Sequence, residues 1–285
     1  MASNPYKDLL KTIQAKEKAK TPGEEFVADI NRYFQVSKES YVPSKSIKPS
    51  GLGGCFRMQY YVLQGADRDV GSLEKAENIT IQCCGNDAHD RLQNACQDAK
   101  RFGIDITWCE PEIEARRAYQ SGIKTIIKRR DGNELLCYNE DYRASFKCDG
   151  IILFQDKKYI FEVKTEEYYK FNCRVAPEPK HVYQAGMYCL CFGIDRVMFL
   201  YEDRNLTFRK AYAVEITQEL KDEIIDRIHH VLAYSDAKKL PPKEKDKCLY
   251  CSYKQLCKKS GNTEAFSLVE LREIIANEQP EKDRE

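Results

Sequence analysis

Asp149, Glu162 and Lys164 lie in one stretch, CDGIILFQDKKYIFEVKT, whose residue types suit hydrolysis of a phosphodiester. Its middle, QDKK, reads as a turn between two apolar strands, which puts Asp149 near the start of the first and Glu162 near the far end of the second. A hairpin then brings the carboxylates together. Side chains alternate along a strand, so Glu162 and Lys164 share one face while Phe161 and Val163 share the other. Two carboxylates beside an ammonium can hold a hard divalent cation such as Mg²⁺, which takes a few carboxylate oxygens and keeps several waters. Such a cation eases the ionisation of water and stabilises charge on a phosphoryl group, and Lys164 would orient or deprotonate the attacking water. Lysine suits this because its pKa moves readily in a desolvated site. The same spacing also fits a surface hairpin with a cross-strand ion pair, so the surroundings must decide.

The elements that would position these residues follow from periodicity. Residues 5 to 20 and 23 to 37 carry apolar positions at helical spacing, broken at Thr21-Pro22-Gly23. Pro43 to Gly54 is a Pro, Ser and Gly-rich loop that delivers Cys55 to the start of a helix, FRMQYYVLQG. Residues 72 to 102 form one or two further helical pieces ending at Gly103. From there ITWCEPEIEARRAY, GIKTIIKR and ELLCYNEDYRASFKCDGIILFQDKKYIFEVKT are predicted as strands, most of them antiparallel. Residues 180 to 192 return to helical spacing, DRVMFLYED reads as a strand, and ITQELKDEIIDRIHHVLAYSDA is an amphipathic helix. The tail holds a short helical pattern, FSLVELREIIANE, before a frayed end, QPEKDRE.

At this point the chain resembles the PD-(D/E)xK nucleases, in particular their RecB-like exonuclease branch. Asp149 with Gly150 matches the metal-binding aspartate of that family, although Cys148 stands where the motif's name has proline, and Glu162-Val163-Lys164 matches E-x-K. Gln184 and Tyr188 match the Gln-x-x-x-Tyr helix that follows, and their i, i+4 spacing puts them on one face. Gly85-Asn86-Asp87-Ala88-His89 fits the upstream helix whose histidine is a metal ligand. The resemblance implies a restriction-endonuclease-like α/β core: a central mixed β-sheet flanked by helices, with a helical N-terminal part. It implies that His89, Asp149, Glu162 and the Val163 carbonyl hold Mg²⁺ or Mn²⁺, that Lys164 assists water, and that Gln184 and Tyr188 bind DNA. The expected activity is a metal-dependent deoxyribonuclease, an exonuclease on single-stranded DNA or duplex ends. The alternative is a catalytically weak nuclease-fold module for DNA binding or assembly. Either could act with a recombination, replication or CRISPR-adaptation partner.

Near the C-terminus Cys248-x-x-Cys251-x5-Cys257 gathers three thiols that need a distant fourth ligand, and Cys55 is the natural candidate, with Cys83 and Cys84 as rivals. Iron-sulfur members of the RecB-like branch, the CRISPR-associated exonucleases and AddB-type nucleases, share this arrangement. The resemblance therefore implies a [4Fe-4S] cluster that joins Cys55 to residues 248–257 and ties the two ends of the nuclease core together. Zinc fits the spacing as well.

Composition limits the rest. Of 285 residues, 42% are hydrophobic and 32% charged, the profile of a globular protein rather than a disordered one. With 46 basic and 45 acidic side chains the net charge is +1, so a polyanion would have to meet a local basic groove; 124 to 130 (KTIIKRR) and 204 to 210 (RNLTFRK) are candidates, or else solvated faces. The N-terminus lacks a secretory apolar stretch and no run approaches about 18 apolar residues, which predicts a cytoplasmic chain without a membrane partner. Thirteen cysteines there would be reduced, mostly small apolar fillers. The expected organisation is a helical extension over 1–45, a nuclease domain with its iron-sulfur region over 46–260, and a tail over 261–285.

Overall fold

A computed structural model describes residues 21–37, 44–69, 76–131, 134–242, 244 and 251–259. The helical patterns at 5 to 20 and in the tail, the frayed end and Cys248 lie outside these residues. The chain divides into two compact units, Met1–Tyr41 with Val70–Cys83, and Val42–Asp69 with Cys84–Glu285. In the first, helix α1 (Pro22–Ser37) begins with a reciprocal cap: Glu24 N–H donates to Thr21 Oγ1 at 3.3 Å, and the Glu24 carboxylate accepts the Thr21 N–H at 2.6 Å.

The second unit is an α/β fold with a central mixed sheet flanked by helices. Its helices are α2 (Phe56–Leu63), the continuation of α3 (Ala76–Asp98) past Cys83, α4 (Pro111–Gln120), α5 (Tyr168–Cys173), α6 (Pro179–Phe192), α7 (Gln218–Asp236) and α8 (Lys254–Lys259). The strands are β1 (Thr107–Cys109), β2 (Thr125–Asp131), β3 (Glu134–Asn139), β4 (Ala144–Cys148), β5 (Gly150–Phe154), β6 (Lys157–Glu166), β7 (Arg196–Asp203) and β8 (Arg209–Glu215). Five form one sheet in the order β1-β5-β6-β7-β8; β6 and β7 are parallel, and the other neighbours antiparallel. The parallel pair requires a crossover, which α5 and α6 supply. A smaller antiparallel sheet has the order β2-β3-β4.

The expected hairpin is β5–β6, with Gly150 opposite Phe161 and Phe154 opposite Lys157. Gln155 (φ 49°) and Asp156 (φ 57°) turn it in the left-handed region, the two-residue geometry that matches strand twist. The sheet is buried on both faces. Ile151, Ile160, Val197 and Phe199 pack with Met187 of α6 and Ile224 and Ile228 of α7. Ile152, Tyr159, Phe161 and Val163 pack with Leu92 and Cys96 of α3. No helix among the described residues is long and apolar enough to cross a membrane.

One segment departs from expectation. ITWCEPEIEARRAY is a strand only over Thr107–Cys109, and Pro111–Gln120 is helix. Pro111 sits at the first helical turn with Glu112 and Glu114, a favourable start, and Ala115 and Ala118 bury one face. Its bulky residues Ile113 and Tyr119, which read as strand-like, are exposed. Helix α5 and strand β8 were not anticipated.

Candidate active site

Asp149 is the single residue between β4 and β5, and so the joint at which the small sheet passes into the large one. The Val163 N–H donates to its Oδ2 at 2.7 Å, and His89 Nδ1 lies 3.1 Å from its Oδ1. The next residue must be small: a Cβ at Gly150 would stand 2.3 Å from the Trp108 ring. His89 comes from α3, whose Ala88 and Leu92 are buried. Burial disfavours the imidazolium, but the Asp149 carboxylate outweighs it and raises the His89 pKa above its usual value.

Glu162 is 0% exposed. Its Oε1 accepts Lys164 Nζ at 2.5 Å and Gln184 Nε2 at 2.7 Å, whereas its Oε2 has no hydrogen-bond partner among the described residues. Burial pushes this carboxyl up to about 7, against the pull of the Lys164 charge. Burial also works against the Lys164 ammonium, but Glu162 and Asp149 more than compensate and hold its pKa above the ordinary lysine value. Gln184 binds the pair from α6: its Oε1 accepts Lys164 Nζ at 3.4 Å and its Nε2 also donates to the Tyr188 hydroxyl at 3.0 Å. Tyr188 is 4% exposed, lies against Phe146 with ring centroids 5.5 Å apart, and has its phenol pKa driven well up by burial.

Parallel pairing puts Tyr201 of β7 beside Lys164. Its hydroxyl accepts the Glu178 N–H at 3.1 Å and lies 2.8 Å from His181 Nδ1. Burial, and then the Lys164 charge, press His181 down to about 3. Arg174 covers the Tyr201 ring at 4.3 Å and forks onto Glu166, the last residue of β6.

Sequence reasoning missed Glu134. One ligand atom each from His89, Glu134 and Asp149 lie within 4.8 Å of one another. Glu162 is not part of that group; its Oε1 is held by Lys164 and Gln184. The available signal was the β3–β4 hairpin: Leu135 pairs with Cys148, so one further step places Glu134 across from Asp149.

No family model and no curated protein matches the chain. Among solved structures it is similar to SSO0001, at 13% identity and a TM-score of 0.44, over 81% of this chain and 96% of that one. It is also similar to the alkaline exonuclease LHK-Exo from Laribacter hongkongensis, at 14% identity and a TM-score of 0.41, over 73% and 93%. The complex of that enzyme with dAMP gives 14% and 0.42 over the same shares. These likenesses are general, and the functional reading rests on the geometry of the site.

The described cysteines differ in their surroundings. Cys137, Cys148, Cys189 and Cys191 are buried thiols whose pKa values burial raises. Cys55 is buried directly before α2; burial raises its thiol pKa, while backbone amides of Glu244, Arg57 and Met58 favour its thiolate. Cys251 and Cys257 pack against the cluster of Tyr61, Val62 and Tyr253. Buried Arg57 donates from Nε to the Pro241 carbonyl at 2.8 Å and from Nη1 to Cys257 Sγ at 3.4 Å. Cys83 and Cys84 are exposed on α3. In the basic runs, Lys124 meets Asp141, Arg130 meets Glu112, Arg209 meets Glu202, and Lys210 binds three carbonyls.

Proposed function

We propose that this chain is a metal-dependent deoxyribonuclease of the PD-(D/E)xK type, acting as an exonuclease on single-stranded DNA or DNA ends. The observation that carries this reading is the buried Oε2 of Glu162, beside Asp149 and Lys164 and without a hydrogen-bond partner among the described residues. A buried carboxylate oxygen without a donor costs about 1–3 kcal/mol or more, and a bound cation is one of the few things that supplies its partner. The donor set of carboxylate oxygens and one imidazole suits Mg²⁺ or Mn²⁺.

In this reading His89, Asp149, Glu162 and the Val163 carbonyl hold the cation. Bound there, it supplies Lewis-acid stabilisation of the transferring phosphoryl group and a lowered pKa for water. Lys164, kept protonated by the two carboxylates, donates a hydrogen bond that orients the attacking water and offsets negative charge. Gln184 fixes Lys164 and Glu162 relative to each other, and Tyr188 holds the Gln184 amide from the buried side. DNA then enters over the exposed side of Lys164 and Gln184.

The cysteine region is proposed to carry a [4Fe-4S] cluster on Cys55, Cys248, Cys251 and Cys257, with a structural role. The Arg57 guanidinium at Cys257 suits an anionic cluster. Iron and sulfide analysis of anaerobically purified protein tests this; zinc alone would contradict it.

The activity is tested with end-labelled single-stranded DNA in Mg²⁺, Mn²⁺ or EDTA. Short products with either metal and none in EDTA are expected. DNA binding without cleavage under every metal condition would favour a nuclease-derived binding module instead.

A further inference from the structure

We propose that Glu134 is an additional carboxylate ligand of this centre and that Lys147 is its counter-ion until the cation arrives. This rests on the metal-dependent reading above. Three observations support it.

The first is convergence. Ligand atoms of His89, Glu134 and Asp149 already stand within 4.8 Å of one another. Oxygens on an octahedral ion with bonds of about 2.1 Å are separated by about 3 Å when adjacent and about 4.2 Å when opposite. Bringing the Glu134 oxygen to coordination distance therefore takes a closure of at most about 2 Å, which a rotamer adjustment provides.

The second is the route by which Glu134 arrives. Antiparallel pairing of Leu135 with Cys148 and Leu136 with Lys147 extends by one step to set Glu134 across from Asp149. That position is where β4 hands over to β5, so the small sheet contributes a carboxylate to a site otherwise built on the large sheet and two helices. The register thus gives the β2-β3-β4 sheet a role at the metal.

The third is the weakness of what competes for Glu134. Its Oε2 lies 3.0 Å from Lys147 Nζ, with the two side chains 27% and 36% exposed. A pair that open to water is weak. A divalent cation held by an imidazole and carboxylates outbids it, and the neighbouring Glu162 Oε2, buried and without a partner among the described residues, shows that the local donor set is unsatisfied. The plain alternative is that Glu134 only pairs with Lys147 to stabilise the β3–β4 hairpin.

The two roles separate in a Mn²⁺ titration by calorimetry on the full chain without DNA, using wild type, Glu134→Gln, Lys147→Gln and Asp149→Asn. Glu134→Gln is expected to weaken Mn²⁺ by about tenfold or more, since even residues behind the ligands cost about 10- to 100-fold. Lys147→Gln breaks the same ion pair from the other side and should leave Mn²⁺ binding unchanged or tighter. Thermal melts of the two variants check that both fold, and Glu134→Asp, which keeps the charge but shortens the reach, should bind with intermediate affinity. Glu134→Gln with wild-type affinity, or an equal loss in Lys147→Gln, would overturn the proposal while Asp149→Asn still reports the metal site. No Mn²⁺ binding by wild type, or none of it sensitive to Asp149→Asn, would reject the metal reading itself and Glu134 with it.

Discussion

Asp149 Oδ2 accepts the Val163 N–H at 2.7 Å, so the first carboxylate of the site is fastened to the backbone of the strand that carries the second. Glu162 and Lys164 flank Val163 on β6, and the hydrogen bond fixes all three relative to Asp149. The same bond makes Asp149 structural as well as chemical.

That double role separates two substitutions. Asp149→Asn keeps an oxygen for the Val163 amide and removes the charge. Cleavage should fall on the order of 100-fold or more, as when a charge-stabilising group is removed, with the melting temperature near wild type. Asp149→Ala also strands a buried N–H and should cost about 1–3 kcal/mol of stability. Cleavage rates and thermal melts of both variants check this; equal stability of the two would show that the bond contributes little.

Gln184 donates to Glu162 and Tyr188 and accepts from Lys164, so it governs how the reacting pair is held. Gln184→Ala should lower kcat about 10- to 100-fold, the usual cost of losing a group that orients ligands. Tyr188→Phe removes only one acceptor and should cost a few-fold, with little change in KM because the side chain is buried. A large rise in KM for Tyr188→Phe would instead place that hydroxyl on the substrate.

Arg174 forks onto Glu166 with both side chains almost fully buried. Arg174→Ala leaves the Glu166 carboxylate to the half-exposed Lys170 ammonium at 3.3 Å and uncovers Tyr201, and should destabilise the protein by about 1–3 kcal/mol in denaturant unfolding. Arg174→Lys should recover part of this, because the charge returns without the two-pronged geometry.

His181 sets a pH dependence. Its pKa falls from 6.5 to about 3 on folding through burial and the Lys164 charge, so below pH 6.5 the unfolded chain takes up a proton that the folded chain refuses. The contribution of the neutral imidazole is therefore present above pH 6.5 and is lost as pH falls towards 3, at up to about 1.4 kcal/mol per pH unit. Melting curves of wild type and His181→Asn between pH 7 and 4 should converge as the pH drops. Parallel curves would show that His181 does not titrate in this way.

Much of this arrangement was legible because it is local. The alternation of IILF and YIFEVKT around a two-residue turn specifies the β5–β6 hairpin, and with it the shared face of Glu162 and Lys164. The mixed sheet flanked by helices follows the alternation of strand and helix patterns. What failed was the reading of composition without tertiary context: Ile113 and Tyr119 look like strand residues, yet they face solvent on a helix started by Pro111 and its acidic neighbours. Glu134 was hidden for a different reason. Its approach to Asp149 depends on the β3–β4 register, which no residue within Glu134's own strand announces.

The most direct measurement is single-turnover cleavage of end-labelled single-stranded DNA by Lys164→Met in saturating Mn²⁺, alongside a Mn²⁺ titration of the same preparation. A loss of cleavage on the order of 100-fold or more with Mn²⁺ still bound is the predicted result, because the ammonium acts on the water and the developing charge. Wild-type cleavage by a folded Lys164→Met preparation would contradict the assignment of this site.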